Sequence, residues 1–200
     1  MMATGRIAYL TTLVAFVAMA ASGCGSTAPS RFYTLDSIAA PAGSTSGADA
    51  VMVGPVSVPA AVDRPQFVVQ VAPNRVDVDE FNRWASPLND EIARAVAGDL
   101  VKLLGTPNVA VAPLGNFAPA YRVTIDVQRF DSVPGQAALV EAVWTVHKTS
   151  GGETRSGRTV AHEPVQGEGF DALAAAHSRA IAKVSGDIAT AIRAEAEARS

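Results

Sequence analysis

Apolar and polar residues alternate along one segment of the chain, which predicts a strand with a single buried face. The apolar positions of this segment are Tyr121, Val123, Ile125 and Val127. Phe130 breaks the alternation, so we expect a bulge or the end of the strand there. A similar pattern covers 140–146, a polar strand is expected over about 154–163, and Gly-containing turns separate the three segments. Three successive strands joined by tight turns predict an antiparallel meander.

Two other segments repeat apolar residues at spacings of three and four, which is typical of amphipathic helices. We expect the first helix to begin with Ser86 as N-cap and Pro87 at its first position, and to end at Gly105. Its apolar stripe consists of Leu88, Ile92, Val96, Leu100, Leu103 and Leu104. The second helix is predicted over 170–196, with a stripe made of Phe170, Leu173, His177, Ile181, Val184, Ile188 and Ile192.

Shorter β-prone runs precede the first helix. The run 31–35 resembles an edge strand, and 67–78 reads as a hairpin that turns at Ala72-Pro73-Asn74. In the strand predicted over 51–59, Pro55 and Pro59 indicate either an edge position or a bulge. Together these patterns predict an α+β fold with an antiparallel-rich sheet and two amphipathic helices packed on one face. The other face is then open to solvent or to a partner.

The N-terminus has the pattern of a secretory signal peptide. One positive charge, Arg6, precedes an apolar run over 7–21, which is shorter than the roughly 20 residues that span a bilayer. Ala21-Ser22-Gly23-Cys24 then resembles a bacterial lipobox, and Cys24 is the only cysteine of the chain. We therefore expect cleavage after Gly23 and a diacylglyceryl group, together with an N-acyl chain, on Cys24.

These features divide the chain into a signal peptide over 1–23, a tether over 24–30 and one domain over 31–200. Within the domain, the Gly/Ser-rich residues 39–50 read as a flexible loop, and 195–200 as a frayed tail. Gly rather than Asp follows the lipidated position, which favours the outer membrane of a Gram-negative envelope over the inner one.

The composition and the absence of known motifs argue against several classes of function. The formal net charge of −3 offers no basic surface for nucleic acid, and a single cysteine excludes a Cys-rich zinc site. The sequence contains no nucleotide-binding or metalloprotease motif, and its three histidines, at 147, 162 and 177, have no ligand spacing. His177 lies on an apolar helix stripe and is expected in the core. Trp84 has two interpretations, a core residue or an exposed contact.

Several short motifs occur in a fixed order behind the predicted lipidation site. They are Phe32-Tyr33-Thr34-Leu35, Val53-Gly54-Pro55-Val56 with Pro59, Asp63-Arg64-Pro65-Gln66, Arg83-Trp84-Ala85-Ser86-Pro87-Leu88 and Arg129-Phe130-Asp131. This set resembles the ABC-type transport auxiliary lipoprotein family, whose best-known type serves the paraquat-inducible lipid transport system. The resemblance covers nearly all of the chain after Cys24.

The resemblance implies a protein that is not an enzyme and that holds no cofactor besides the lipid on Cys24. It implies an outer-membrane lipoprotein that faces the periplasm and works with an inner-membrane permease, an ATPase and a mammalian-cell-entry (MCE) type protein in lipid transport. Asp63, Arg64 and Pro65 form the candidate docking loop, because proline stiffens a loop and the two charged groups offer strong hydrogen bonds. A solvated turn with a local ion pair is the alternative interpretation. Trp84 is the fourth candidate contact residue.

Two other classes of function remain open at this point. A structural or regulatory envelope lipoprotein that supports a cell-wall assembly would share the anchor and the α+β domain. A hydrolase with an unrecognised site is the third interpretation. Self-association into a homo-oligomer is compatible with each of them.

Overall fold

Two helices pack on one face of an eight-stranded sheet in the computed structural model, which describes residues 28–41, 50–151 and 154–197. The elements in chain order are β1 (Arg31–Tyr33), β2 (Val51–Ser57), β3 (Gln66–Ala72), β4 (Arg75–Trp84), α1 (Leu88–Leu104), β5 (Val109–Val111), β6 (Tyr121–Val133), β7 (Ala137–Lys148), β8 (Thr154–Pro164) and α2 (Gly169–Glu197). The signal peptide, Cys24 and most of the predicted flexible loop lie outside the described residues.

The sheet is mixed, so the expectation of an antiparallel-rich sheet is wrong. Of the seven strand pairings in the described part, four are parallel, namely β1–β4, β2–β5, β2–β6 and β3–β6. The antiparallel meander β6–β7–β8 is confirmed, and so is the β3–β4 hairpin. The hairpins could be predicted because their two strands follow one another in the sequence and are joined by a turn. The parallel pairs join strands that are distant in the sequence, so no local sequence pattern indicates them.

Strand β6 is the hub of the sheet. Along one edge it pairs with β7, and the predicted irregularity appears as a register shift between Val127 and Arg129. Along its other edge it pairs first with β2 and then, at Ser132, with β3. Strand β2 therefore lies inside the sheet and not at an edge. Pro55 lies in a bulge, where the register shifts between Val53 and Val56, and Pro59 follows the end of the strand.

The two helices carry the predicted stripes inward. In α1 the stripe residues Leu88, Ile92, Val96, Leu100 and Leu104 are buried, and Gly105 ends the helix in the left-handed conformation with φ 66°. Its N-cap is Pro87, with no side-chain capping hydrogen bond, so the assignment of Ser86 as N-cap is wrong. Asp90 and Glu91 provide the negative charge that favours a helix N-terminus.

A strap over residues 34–39 runs from β1 across both helices. The backbone N–H of Leu35 donates to Glu91, that of Asp36 donates to Ser178 (3.0 Å), and that of Ala39 donates to Asp99 (2.8 Å). The approach is close, because a Cβ on Gly98 would lie 2.7 Å from Cβ of Ser37. The strap thus fixes the chain soon after the predicted tether.

Asp99 ties the strap to both helices. It lies on α1, is completely buried and also accepts a hydrogen bond from the hydroxyl of Ser185 on α2 (3.0 Å). Burial raises the pKa of the Asp99 carboxyl against the opposing effects of these hydrogen bonds and of the Lys102 charge. A buried carboxyl with such partners makes its helix contacts specific, since losing a partner would leave a polar group unsatisfied.

Aromatic rings join β1, β3, β4 and β6 to α2. Members of this aromatic cluster are Tyr33, Phe67, Trp84, Phe130, Phe170 and His177. Phe67 stacks on Trp84 with ring centroids 4.1 Å apart, and Trp84 meets Phe130 edge-on at 5.9 Å. The backbone pairing between β3 and β6 is limited to Val69 and Ser132. The rings therefore supply much of the contact along the line where β3 meets β6, which we call the seam of the sheet.

His177 is a core residue, as predicted. Its ring is fully buried and lies parallel to that of Phe130 at a centroid distance of 3.9 Å, and Nε2 is 2.7 Å from the Ser132 hydroxyl. Nδ1 has no hydrogen-bond partner within the described ranges. Burial lowers the pKa of His177 to about 3, because no group compensates a charged imidazolium there.

This environment predicts a pH dependence of stability. The unfolded chain binds a proton at His177 near pH 6.5, whereas the folded chain does so only near pH 3, so the free energy of unfolding falls as pH drops through this window. Between pH 7 and pH 5 the loss from this group amounts to about 2 kcal/mol. His177→Phe keeps a ring against Phe130 and abolishes the titration. Urea unfolding of both proteins at pH 7 and pH 5 measures the free energy of unfolding. Its decrease between the two pH values should be larger in the wild type than in the variant by about 2 kcal/mol.

The variant also loses the hydrogen bond to Ser132, which lowers its free energy of unfolding by the same amount at both pH values. This constant difference cancels when each protein is compared with itself at pH 7 and pH 5. Equal losses in wild type and variant would contradict a neutral, buried His177.

Candidate functional site

The predicted docking loop is an exposed turn between β2 and β3. The backbone N–H groups of Val62 and Asp63 both donate to the carbonyl oxygen of Pro59, at 3.0 and 3.1 Å. Asp63, Arg64 and Pro65 are exposed. In the part of the chain that the structure describes, Asp63 and Arg64 form no ion pair with each other. The turn is solvated, but the local ion pair of the alternative interpretation is not present.

Trp84 supports this loop from inside the fold. Its side chain is only 4% exposed, so the interpretation as an exposed partner contact is wrong for this conformation. Its backbone N–H donates to the carbonyl oxygen of Pro65 (2.7 Å), and its ring stacks on Phe67 in the strand that follows the loop. The loop therefore begins and ends on rigid elements, which restricts its conformations.

A cleft of about 290 Å³ lies beside the loop, where β3 and β6 diverge. Its lining combines the loop, the hairpin and the end of β6, and consists of Ala61, Val62, Val68, Gln70, Pro73, Val76, Arg129, Phe130, Asp131 and Ser132. Val76 is 56% exposed, which is high for a large apolar side chain. Arg129 and Asp131 form an ion pair at 2.5 Å along the same strand. We call the loop 61–65 and this cleft the docking surface.

The docking surface unites motifs that are far apart in the sequence. Arg129-Phe130-Asp131 lies next to the loop that contains Asp63-Arg64-Pro65, and the aromatic cluster lies beneath both. Sequence reasoning identified the loop but missed Val68 and Val76 as cleft residues. Val76 alternates with charged residues in β4, but an exposed apolar position on a hairpin has the same pattern as a buried one. Val68 lies within the apolar run 67–69, which does not alternate.

Ser132 and His177 form the one serine–histidine pair that we find within the described ranges, and it is arranged for packing. The Ser132 side chain reaches Nε2, but the Ser132 residue is only 3% exposed. A catalytic histidine needs a group that orients its other nitrogen, and Nδ1 of His177 has no such partner in the described part. A pKa of about 3 also makes this imidazole a weak base.

No metal centre is visible in residues 28–41, 50–151 and 154–197, since no three His, Cys, Asp or Glu side chains converge there. Neither of the helices described is long and apolar enough to cross a membrane. The polar groups at the docking surface are suited to hydrogen bonds and ion pairs with another molecule, and its valines to apolar contact.

Comparison with solved structures reveals relatives of the fold. The structure of protein XCC0632 from Xanthomonas campestris, of the DUF330 family, has a TM-score of 0.70 at 22% identity and covers 86% of this chain and 100% of that one. An uncharacterized protein has a TM-score of 0.66 at 20% identity, over 82% of this chain and 99% of its own. At these identities the likeness concerns the fold alone.

Among curated proteins, the chain has no significant match. The family model described as ABC-type transport auxiliary lipoprotein component, however, matches residues 33–189, which includes every strand and helix from the end of β1 to most of α2. The resemblance inferred from the ordered motifs is thereby confirmed. The chain belongs to the ABC-type transport auxiliary lipoprotein family.

Proposed function

We propose that this chain is a lipid-anchored subunit that assists an MCE-type lipid transporter by contact and not by catalysis. Acyl chains on Cys24 hold it at the outer membrane, and its domain faces the periplasm. There it binds an MCE-domain protein that works with an inner-membrane permease and ATPase. Membership of an auxiliary transport family supports the association with an ABC system. The lipobox-like Ala21-Ser22-Gly23-Cys24 and the following Gly25 support the anchor and its membrane.

The observation that carries the contact role is the docking surface. Arg64 and Asp63 are exposed and have no ion pair within the described ranges, so a partner can engage them without breaking an existing one. The Trp84–Pro65 hydrogen bond and the stacked rings below hold the loop in place. A preformed loop loses little conformational entropy on binding, which favours affinity from a small surface.

The anchor raises the effective concentration of the domain at the membrane. A protein confined to one surface meets a partner at that surface more often than a free one does, so a modest intrinsic affinity is enough for high occupancy. Two or more acyl chains give stable attachment, because each buried CH₂ contributes about 0.8 kcal/mol.

The first prediction concerns Cys24. Cys24→Ser removes the sulfur that would carry the lipid and changes no residue of the described core, so the domain should fold normally but lose labelled palmitate. Metabolic labelling followed by immunoprecipitation measures the incorporation, and a melting curve of the purified protein checks the fold. Equal palmitate incorporation into wild type and variant would refute acylation at this position.

The second prediction concerns Arg64. Reversing its charge with Arg64→Glu should reduce recovery of the MCE-type partner in affinity purification from membranes, while the fold and the membrane fraction stay unchanged. Arg122→Glu is the matched control, because Arg122 is also exposed, forms no ion pair within the described ranges and lies at the start of β6, seven residues before the part of that strand that lines the cleft.

Undiminished recovery with Arg64→Glu would remove the loop from the interface. If the wild type itself recovers cell-wall proteins and no transporter component, a structural envelope lipoprotein becomes the better description.

A further inference from the structure

The edge of the sheet formed by β1 and β4 presents aromatic side chains to solvent. Phe32 is 65% exposed, more than any other large hydrophobic residue in the described part, and Phe81 is 40% exposed. Phe32 pairs with Arg83 across the two strands, and Arg31 pairs with Asn82, next to Phe81. Single exposed hydrophobic residues are ordinary, but two phenylalanines at one short edge call for a partner.

The exposure of Phe32 is built into the fold and does not come from a frayed end. The next residue, Tyr33, is buried, pairs with Trp84 and accepts a hydrogen bond from the backbone N–H of Ala85 (2.8 Å). The phenol of Tyr33 also donates to Asn82 (2.7 Å). Because side chains alternate along a strand, burying Tyr33 turns Phe32 to the opposite face.

The position of Phe32 in the sequence indicates which partner is close. It is the first large hydrophobic residue after Cys24 and lies eight positions further along the chain, with seven residues between the two. A chain of that length spans at most roughly 27 Å when fully extended. The intervening residues 25–30 are small and uncharged, so they offer no apolar surface of their own. With Cys24 acylated, as proposed above, Phe32 therefore stays within roughly 27 Å of the lipidated cysteine.

One cationic side chain lies on the same face of this edge as Phe32. Arg83 pairs with Phe32 across the two strands, whereas Arg31 lies on the face of Tyr33 and interacts with its phenol. Nε of Arg83 donates to the carbonyl oxygen of Glu80 (2.9 Å), but the ion pair with the Glu80 carboxylate is long, at 3.8 Å, so the remaining guanidinium N–H groups can bind other acceptors. Aromatic rings favour the headgroup level of a bilayer, and an arginine beside them can bind a lipid phosphate there.

From these observations we infer that the β1–β4 edge, with Phe32 and Phe81 beside Arg83, rests on the headgroup region of the bilayer that holds the acyl anchor. We call it the membrane edge. The inference rests on acylation of Cys24 and adds an orientation to it. It also fixes where the docking surface lies, because β3, which lines the cleft, is the neighbour of β4. The long edge strand β8 is then at the opposite end of the sheet.

The single cysteine makes a direct test practicable. In the acylated protein the sulfur of Cys24 is alkylated, so Phe32→Cys introduces the only free thiol. This thiol is labelled with the fluorophore NBD in the mature lipoprotein, which is reconstituted into vesicles of phosphatidylethanolamine and phosphatidylglycerol. Phe81→Cys is the second test position. Val160→Cys is the matched control, because Val160 is 59% exposed and lies on β8.

Quenching by doxyl-labelled lipid should be about twofold or more stronger at positions 32 and 81 than at 160, since burial at the interface reaches only about 5–10 Å into the lipid. Equal quenching at all three positions in protein that floats with the vesicles would overturn the membrane edge alone. NBD fluorescence at position 32 that is blue-shifted but not quenched by doxyl-labelled lipid would show that protein, and not lipid, covers this edge. That result would also overturn the membrane edge. Failure of the wild-type protein to float would overturn the anchor, and the membrane edge with it.

Discussion

Aromatic packing across the seam between β3 and β6 is the constraint on which the rest of the structure depends. The strands β1, β4 and β3 meet the remainder of the sheet through the single backbone pair of Val69 and Ser132. The stack of Phe67 on Trp84 lies on one side of that seam and the stack of Phe130 on His177 on the other. Trp84 contacts Phe130 edge-on across the seam, and Ser132 is hydrogen-bonded to His177. The membrane edge lies on the β1–β4–β3 side of the seam and the docking surface spans it, so the aromatic cluster sets the relation between them.

Sequence reasoning succeeded where burial leaves a local pattern. Strands β6 to β8 alternate, and the helices repeat at three and four, because each has one face in the core and one in water. It failed where distant segments meet. The parallel partners of β6 are β2 and β3, and neither pairing has a signature in the sequence of any of these strands. The mistaken cap at Ser86 is a local error of one residue, since a proline can be the N-cap itself.

The exposed loop of the candidate site could be predicted from the sequence, but the cleft beside it could not. Asp63, Arg64 and Pro65 stood out because charged residues next to proline are typical of a stiff exposed turn, and the structure exposes all three. The cleft beside them could not be predicted, because it arises from the divergence of two strands and is lined by residues from three separate segments. Trp84 failed as a contact residue for a physical reason, since the wide ring fills the seam that the backbone pairing leaves open.

The account's central claim is that this protein acts through contact at the docking surface. The most direct measurement places a photo-crosslinking amino acid at Val76, the most exposed large hydrophobic residue of the cleft, in cells that carry the complete transport system. The account predicts a covalent adduct with an MCE-domain protein from position 76 and none from Val160 on β8. An adduct from position 160 alone, or from position 76 to a cell-wall protein instead, would contradict it.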